Sequence, residues 1–454
     1  MVEEATHFNK LQGGRSVLPD IALRRSHIWI YIVGALGYFF DAFDVLLASY
    51  VIPLIGQEWN VAPSMLGWFA TVGFLGMAVG GILFGSLGDL VGRKKAFIGT
   101  IFLYSVFSLL CAAAPNVTLL FLFRFIAGVG LGGCLPVDMA MLSEFMPPKY
   151  RGKLIAFLGV FWVGGATTVG FVSAWLSPFQ NFRLIFLAAG LPVLLIFFIR
   201  LAIPESPLYL YCKGKVKEAN VILRKVHGIE MDAGQLFEHN DSGAGFKNNE
   251  KIVKGLFASL LKVWRFNPGI TLMVWYAYAS VLFIYYGVIL WLPKILIANG
   301  YKTYAAFLFT SYITLIGLLG VVLCIFLVDK MGRKWSLALS FIFMGVALFA
   351  FAFTLHAPTS SFILLGTYMF FESIALAILY VYIPECYPTL LRVSGFGWAT
   401  AITRITSDFS PLVFAAIWGK LGLVNTMSIA MITLAIAGVL ILRLGKETKG
   451  HLLS

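Results

Sequence analysis

Seven ionisable residues stand inside stretches that are otherwise apolar. They are Asp41 and Asp44 in YFFDAFDVLL, Arg124 in RFIAGVGLGG, Asp138 in GGCLPVD, Glu372 in YMFFESIAL, and Arg404 and Asp408 in ITRITSDF. Carboxylates and guanidinium groups in such surroundings suit two tasks: taking up a proton and recognising an ion. They are costly to bury in hydrocarbon, so each is a functional candidate by default. Covalent or metal chemistry has no comparable residue set. No His-Glu-x-x-His occurs, the six histidines fall in loops, tails or helix ends, and the five cysteines are scattered without metal or disulfide spacing. The expectation is a protein that is not an enzyme and carries neither cofactor nor metal.

The elements that hold these charges follow from composition. The 454 residues are 60% hydrophobic and 12% charged, with a mean hydropathy of +0.89. A soluble chain carries roughly a quarter charged residues. Twelve apolar blocks are long enough to cross a bilayer: about 28–56, 64–88, 96–114, 117–142, 154–177, 184–203, 270–293, 303–328, 336–355, 361–384, 394–418 and 423–442. The fold class is an all-α membrane protein with twelve transmembrane helices in two six-helix bundles. Residues 1–27 form an N-terminal segment, 28–203 the first bundle, 204–268 a linker with short helices, 269–443 the second bundle and 444–454 a tail.

With the N-terminus inside, inner segments hold 28 of the 34 Lys and Arg, and outer segments hold four. This asymmetry predicts a multi-pass protein of the plasma or inner membrane with both termini cytoplasmic. It also explains the net charge of +13 without nucleic acid, whose binding face would be one patch. The expected partners are a small-molecule substrate, protons and the lipid bilayer, and the expected state is a monomer.

The halves repeat each other. GDLVGRKK (88–95) matches VDKMGRKW (328–335), and SEFMPPKYRGK (143–153) matches PECYPTLLRVS (384–394). Pro53 matches Pro293 at nearly the same offset. Two like-oriented halves predict alternating access around a site at their interface.

Gly85, Asp89, Gly92, Arg93 and Lys94 resemble the signature loop of the major facilitator superfamily. RFIAGVGLGG, the Glu-x-x-Pro-x-x-x-Arg motif in both halves, PESPLYL (204–210) and KETKG (446–450) resemble its "sugar and other" branch. The seventh block lacks the Gln-Gln pair usual in sugar porters. FDAFD, YYGVILWLP and YIPECYPTLLRVSGFGWATAITRI are closer to nicotinate and aromatic-acid transporters, and to organic-ion and synaptic-vesicle-type relatives. The resemblance implies that spans 1, 4, 7 and 10 line the cavity and span 11 flanks it. Every one of the seven charges falls on spans 1, 4, 10 or 11.

A rise of ~1.5 Å per residue puts Asp44 and Arg124 at about the same depth, some 20–24 Å from the inner face. They are expected to pair, as the proton-coupling pair of the resembled sugar:proton symporters does. Asp44 is then the proton acceptor, and Arg124 tunes it. Asp41, one turn earlier, shares the proton, contacts substrate or adjusts its neighbour. Arg404 and Asp408, four apart, are placed to pair with each other. The resembled organic-anion transporters carry an Arg where Arg404 stands, which implies an anionic substrate. Glu372 and Asp408 depart from that pattern and are further substrate candidates. So are the aromatic residues Phe40, Phe43, Trp162, Tyr285, Tyr286 and Phe371; Tyr285 stands opposite Asp44 in the repeat. Asp89, Arg93, Asp138, Glu144, Arg151, Asp329, Arg333, Glu385 and Arg392 are expected to form an inner gate that bridges the halves when the protein faces outward.

The expected function is therefore secondary active transport of a small organic ion, a carboxylate such as nicotinate or an aromatic acid, coupled to protons. An organic cation or zwitterion, phosphate, sugar, and an uncoupled facilitator or exporter are the alternatives. A channel or transport-dead receptor is the remaining class.

Overall fold

The computed structural model describes residues 21–194, 199, 203–229, 232–237, 259–388 and 391–448, with the side chains of Asp89 and Asp329 outside that description. The regular elements in it are helices. The first half holds α1 (Arg25–Glu58), α2 (Pro63–Val91), α3 (Arg93–Ala112), α4 (Val117–Phe145), α5 (Pro148–Leu176) and α6 (Phe182–Ala189). The second holds α7 (Pro268–Ala298), α8 (Thr303–Met331), α9 (Arg333–Phe351), α10 (Pro358–Glu385), α11 (Arg392–Asp408) and α12 (Ser410–Leu444). Ten of these are long and apolar enough to cross a membrane. The other two are α6, whose span is described only in part, and the 17-residue α11.

Local signals set the boundaries. Asn116 and Asn267 cap α4 and α7 by accepting hydrogen bonds from Leu119 N–H and Ile270 N–H. Gly92 and Gly332, with φ of +104° and +87°, make the sharp turns that end α2 and α8. Span 11 is not one straight helix. It stops at Asp408, and Ser410 begins α12, which runs on to Leu444 through one non-helical residue, Gly422 at φ +76°. The second part of span 11 therefore belongs to α12.

Glycines bring α2 and α4 into close contact. A Cβ on Gly80 would stand 1.9 Å from the Val129 carbonyl oxygen, and one on Gly132 would stand 1.9 Å from that of Met77. Small residues of this kind let helix backbones approach where lipid offers no hydrophobic drive. Between the halves, α5 packs on α8, α2 on the start of α12, and α1 on α7. Their ring contacts include Tyr50–Phe307 at 5.2 Å and Phe171–Tyr312 at 5.4 Å. These lie toward the face opposite the linker. The linker carries short helices at Pro207–Cys212, Val216–Ile222 and Ala233–Phe237. Within the linker, HNDSGAGFKNNEK (239–251), whose composition predicts a loose stretch, lies outside the described residues.

Candidate functional site

Asp44 of α1 and Arg124 of α4 meet as their depths predict. Arg124 Nη1 lies 2.7 Å from Asp44 Oδ2, with both side chains almost fully buried. Arg124 Nη2 also donates to the Asp44 backbone oxygen at 2.9 Å. Ser108 of α3 donates to Asp44 Oδ1 at 2.9 Å. Gly73 on α2 leaves room for the guanidinium, since a Cβ there would lie 3.1 Å from Arg124 Nε. Three helices thus fix one carboxylate, and charge-assisted hydrogen bonds of this length are among the stronger ones. Asp41, one turn toward the linker face, is buried, and its Oδ1 has no hydrogen-bond partner.

Arg404 differs from Arg124. It is only part-buried, and among the described residues no carboxylate lies within salt-bridge distance of it. The expected Arg404–Asp408 pair is not formed, although Asp408 is buried one turn away. Tyr278 and Tyr286 of α7 and Tyr380 of α10 lie within its electrostatic reach, and so do the carboxylates of Asp408 and Asp41. So does Arg404 for Tyr38 of α1, across the halves. Tyr278 and Tyr380 stack edge to face at 6.0 Å, Tyr285 and Tyr286 at 5.1 Å, and Tyr286 meets Phe74 of the other half at 4.9 Å. Trp162 lies 5.2 Å from Tyr38. Oxygen-bearing rings around one unpaired guanidinium make a polar spot in an apolar wall, the composition of a small-ligand site.

The remaining candidates separate. Glu372 is buried and accepts from Ser373 Oγ at 3.3 Å; Tyr285 and Tyr368 are its electrostatic neighbours. Phe371 stacks on Phe343 of α9 at 4.7 Å and 16°. Phe43 is buried in the core, and Phe40 stands edge to face with Phe39.

At the linker face the bonds described for the charged groups lie within their own halves. Arg93 pairs with Glu144 at 3.0 Å and donates to the Gly88 carbonyl. Arg333 lies 3.7 Å from Glu385. Arg151 and Arg392 donate to the Met146 and Pro384 carbonyls. Asp138 does not join this set; it is buried between α4 and α1. The Asp89 and Asp329 side chains lie outside the described residues.

The family model of the Major Facilitator Superfamily matches residues 34–411. The chain belongs to that superfamily. The niacin transporter NiaP of Acinetobacter baylyi is 32% identical over 449 residues, covering 96% of this chain and 98% of the relative. The gentisate transporter of Corynebacterium glutamicum is 29% identical, covering 84% and 78%. A solved inward open structure of the xylose transporter XylE from E. coli matches with a TM-score of 0.77 and 20% identity, covering 94% of this chain and 98% of that one. That likeness carries the fold. The protein is a multi-pass membrane transporter of the Major Facilitator Superfamily.

Several residues of this transporter were not singled out from the sequence. Glu205 accepts from Lys94 N–H at 3.1 Å, and Glu447 accepts from Arg333 N–H at 2.8 Å. Each caps the helix after a signature turn, in matching positions of the two halves. Their near-equal offset within PESPLYL and KETKG was the available signal. Tyr38, Tyr278 and Tyr380 were also missed. Tyr278 precedes Tyr285 by two turns and Tyr38 precedes Asp41 by one, so helical spacing marks both.

Proposed function

We propose that the protein moves a small organic acid, an aromatic carboxylate such as nicotinate or a benzoate, across the membrane by alternating access. The observation that carries this is Arg404: an interior guanidinium that forms no ion pair among the described residues, with Tyr38, Tyr278, Tyr286 and Tyr380, and the carboxylates Asp41 and Asp408, in its electrostatic reach. A substrate carboxylate supplies the missing counter-charge, and the rings take the flat face. Arg suits this better than Lys because its planar fork matches a carboxylate. The names of the relatives, transporters of niacin and gentisate, agree with that chemistry.

The linker face is the cytoplasmic one in this reading, on the excess of Lys and Arg there. Transport is coupled to protons at Asp44. When Asp44 is ionised, it neutralises Arg124. When it is protonated, Arg124 loses its counter-ion and the contacts between α1, α3 and α4 change. A bound proton thereby biases the helices that line the route. Asp41, one turn from Asp44, lies within the electrostatic reach of Asp44 and of Arg404. The linker-face pairs Arg93–Glu144 and Arg333–Glu385 act as gate elements that exchange partners as the halves rock.

The test is ligand-induced thermal stabilisation of the purified protein against aromatic acids, matched amines, sugars and phosphate. A ligand that binds the folded state raises its melting temperature. Nicotinate or benzoate stabilises the wild type, and the matched amines do not. Arg404→Ala removes the shift. An acid shift that survives Arg404→Ala sinks the clamp.

A further inference from the structure

Asp138 takes no part in the substrate clamp or in the gate pairs. It lies near the linker end of α4, with 1% of its surface exposed. Neither carboxyl oxygen has a hydrogen-bond partner. Among the described residues, no Lys, Arg or His forms an ion pair with it. The carboxyl faces α1 at Gly34, where a Cβ would stand 2.8 Å from Oδ1. The ionisable groups around it are Tyr31 and Asp41 on α1 and Cys134 on its own helix, none of them a cation.

This placement has no structural rationale. A buried carboxyl without a donor or a counter-ion costs stability and returns no contact. It does have a geometric one. Gly34 is seven residues from Asp41, about 10 Å along α1, and Asp44 is about 5 Å further. Asp44, Asp41 and Asp138 therefore descend the α1–α4 seam toward the linker face.

We propose that Asp138 is the cytoplasmic exit station for the proton taken up at Asp44. The proposal rests on the proton-coupled reading above. Asp44 in its acid form passes its proton to the Asp41 carboxylate and returns to its ion pair with Arg124. Asp41 passes the proton to Asp138, through water that enters when the linker face opens. Asp138 then releases it to cytoplasmic water and accepts the next. No net charge stays behind. An unpaired carboxyl suits this task because no cation holds it in the ionised form.

The experiment uses the full chain in proteoliposomes with radiolabelled nicotinate or benzoate. Accumulation driven by a pH gradient is compared with counterflow at equal pH, which needs no net proton movement. Asp138→Asn slows gradient-driven accumulation by about a hundredfold, the low end for loss of a placed proton-transfer group. It leaves counterflow intact, and its melting temperature is equal to or above that of the wild type. Asp138→Ser gives the same pattern and serves if the Asn protein does not fold. If Asp138→Asn accumulates at the wild-type rate while Asp44→Asn does not, Asp138 is not the exit and the coupling reading stands. If the wild type ignores the pH gradient, or Asp44→Asn responds to it fully, the coupling reading fails first. Loss of counterflow together with a lowered melting temperature marks a structural residue and overturns the proposal.

Discussion

At the scale of the residue, two arginines in one interior do different work because their partners differ. Arg124 has a carboxylate at 2.7 Å; Arg404 forms no ion pair among the described residues and has tyrosines, Asp41 and Asp408 in its reach. Breaking a buried ion pair by removing one member typically costs about 3–5 kcal/mol, because the other charge is left alone. Arg124→Gln is therefore expected to lower thermal stability sharply. The double variant Asp44→Asn/Arg124→Gln recovers most of that stability without recovering coupling. Melting curves in detergent of the wild type, Asp44→Asn, Arg124→Gln and the double variant form the cycle that checks this. The Asp44–Arg124 pair was legible because depth can be counted along two helices. Ser108 was not, since one hydroxyl among many in apolar spans has no distinguishing spacing. The stack of Phe371 on Phe343 was not legible either, because it joins two helices.

At the scale of the element, the linker is fastened to α1 by two buried histidines. Arg24 N–H donates to His27 Nδ1 at 3.0 Å, so His27 Nε2 carries the proton and donates to His227 Nδ1 at 3.0 Å. Phe145 of α4 stacks on His227, and Ser26 Oγ donates to the Val226 carbonyl. This chain of bonds requires both rings neutral; a second proton on either puts a donor against a donor. Burial first, then the charges of His27 and Arg24, push His227 down to about 3 from its usual 6.5. The docked ring thus binds fewer protons than a free one. Docking is at full strength above pH 6.5 and weakens as pH falls toward 3, by about 1.4 kcal/mol per pH unit for one proton. The protection factors of residues 216–229, with the slower intrinsic exchange at low pH divided out, are expected to fall at pH 5 relative to pH 7.5, and His227→Leu loses that pH response. Unchanged protection factors in the wild type contradict it. Short helices in the linker were legible, but not what they dock against, since a histidine at a loop or helix end carries no sign of burial. The α2–α4 contact is stricter. Gly132→Ala sets a methyl against the Met77 carbonyl, and overpacking of this kind costs about 1–3 kcal/mol. Lower yield and melting temperature are the expected readout.

At the scale of the whole molecule, the repeat is visible in paired features. Gly92 and Gly332 turn the chain at matching points, and Glu205 and Glu447 cap the helices that follow. These were legible as motif echoes, because turns and caps are local. How the halves meet was not, because it depends on ring contacts such as Tyr50–Phe307 between residues far apart in sequence. Cysteines at positions 50 and 307 are expected to cross-link with a short reagent in this state. Substrate that drives the halves through their cycle changes that rate, while a matched amine does not.

The central claim is that an organic acid is carried on Arg404. The most direct measurement is counterflow of labelled nicotinate or benzoate in proteoliposomes, with a matched amine as competitor. The account predicts saturable acid counterflow that the amine leaves untouched and that Arg404→Ala abolishes. Counterflow that the amine blocks as well as the acid does, and that persists in Arg404→Ala, would contradict it.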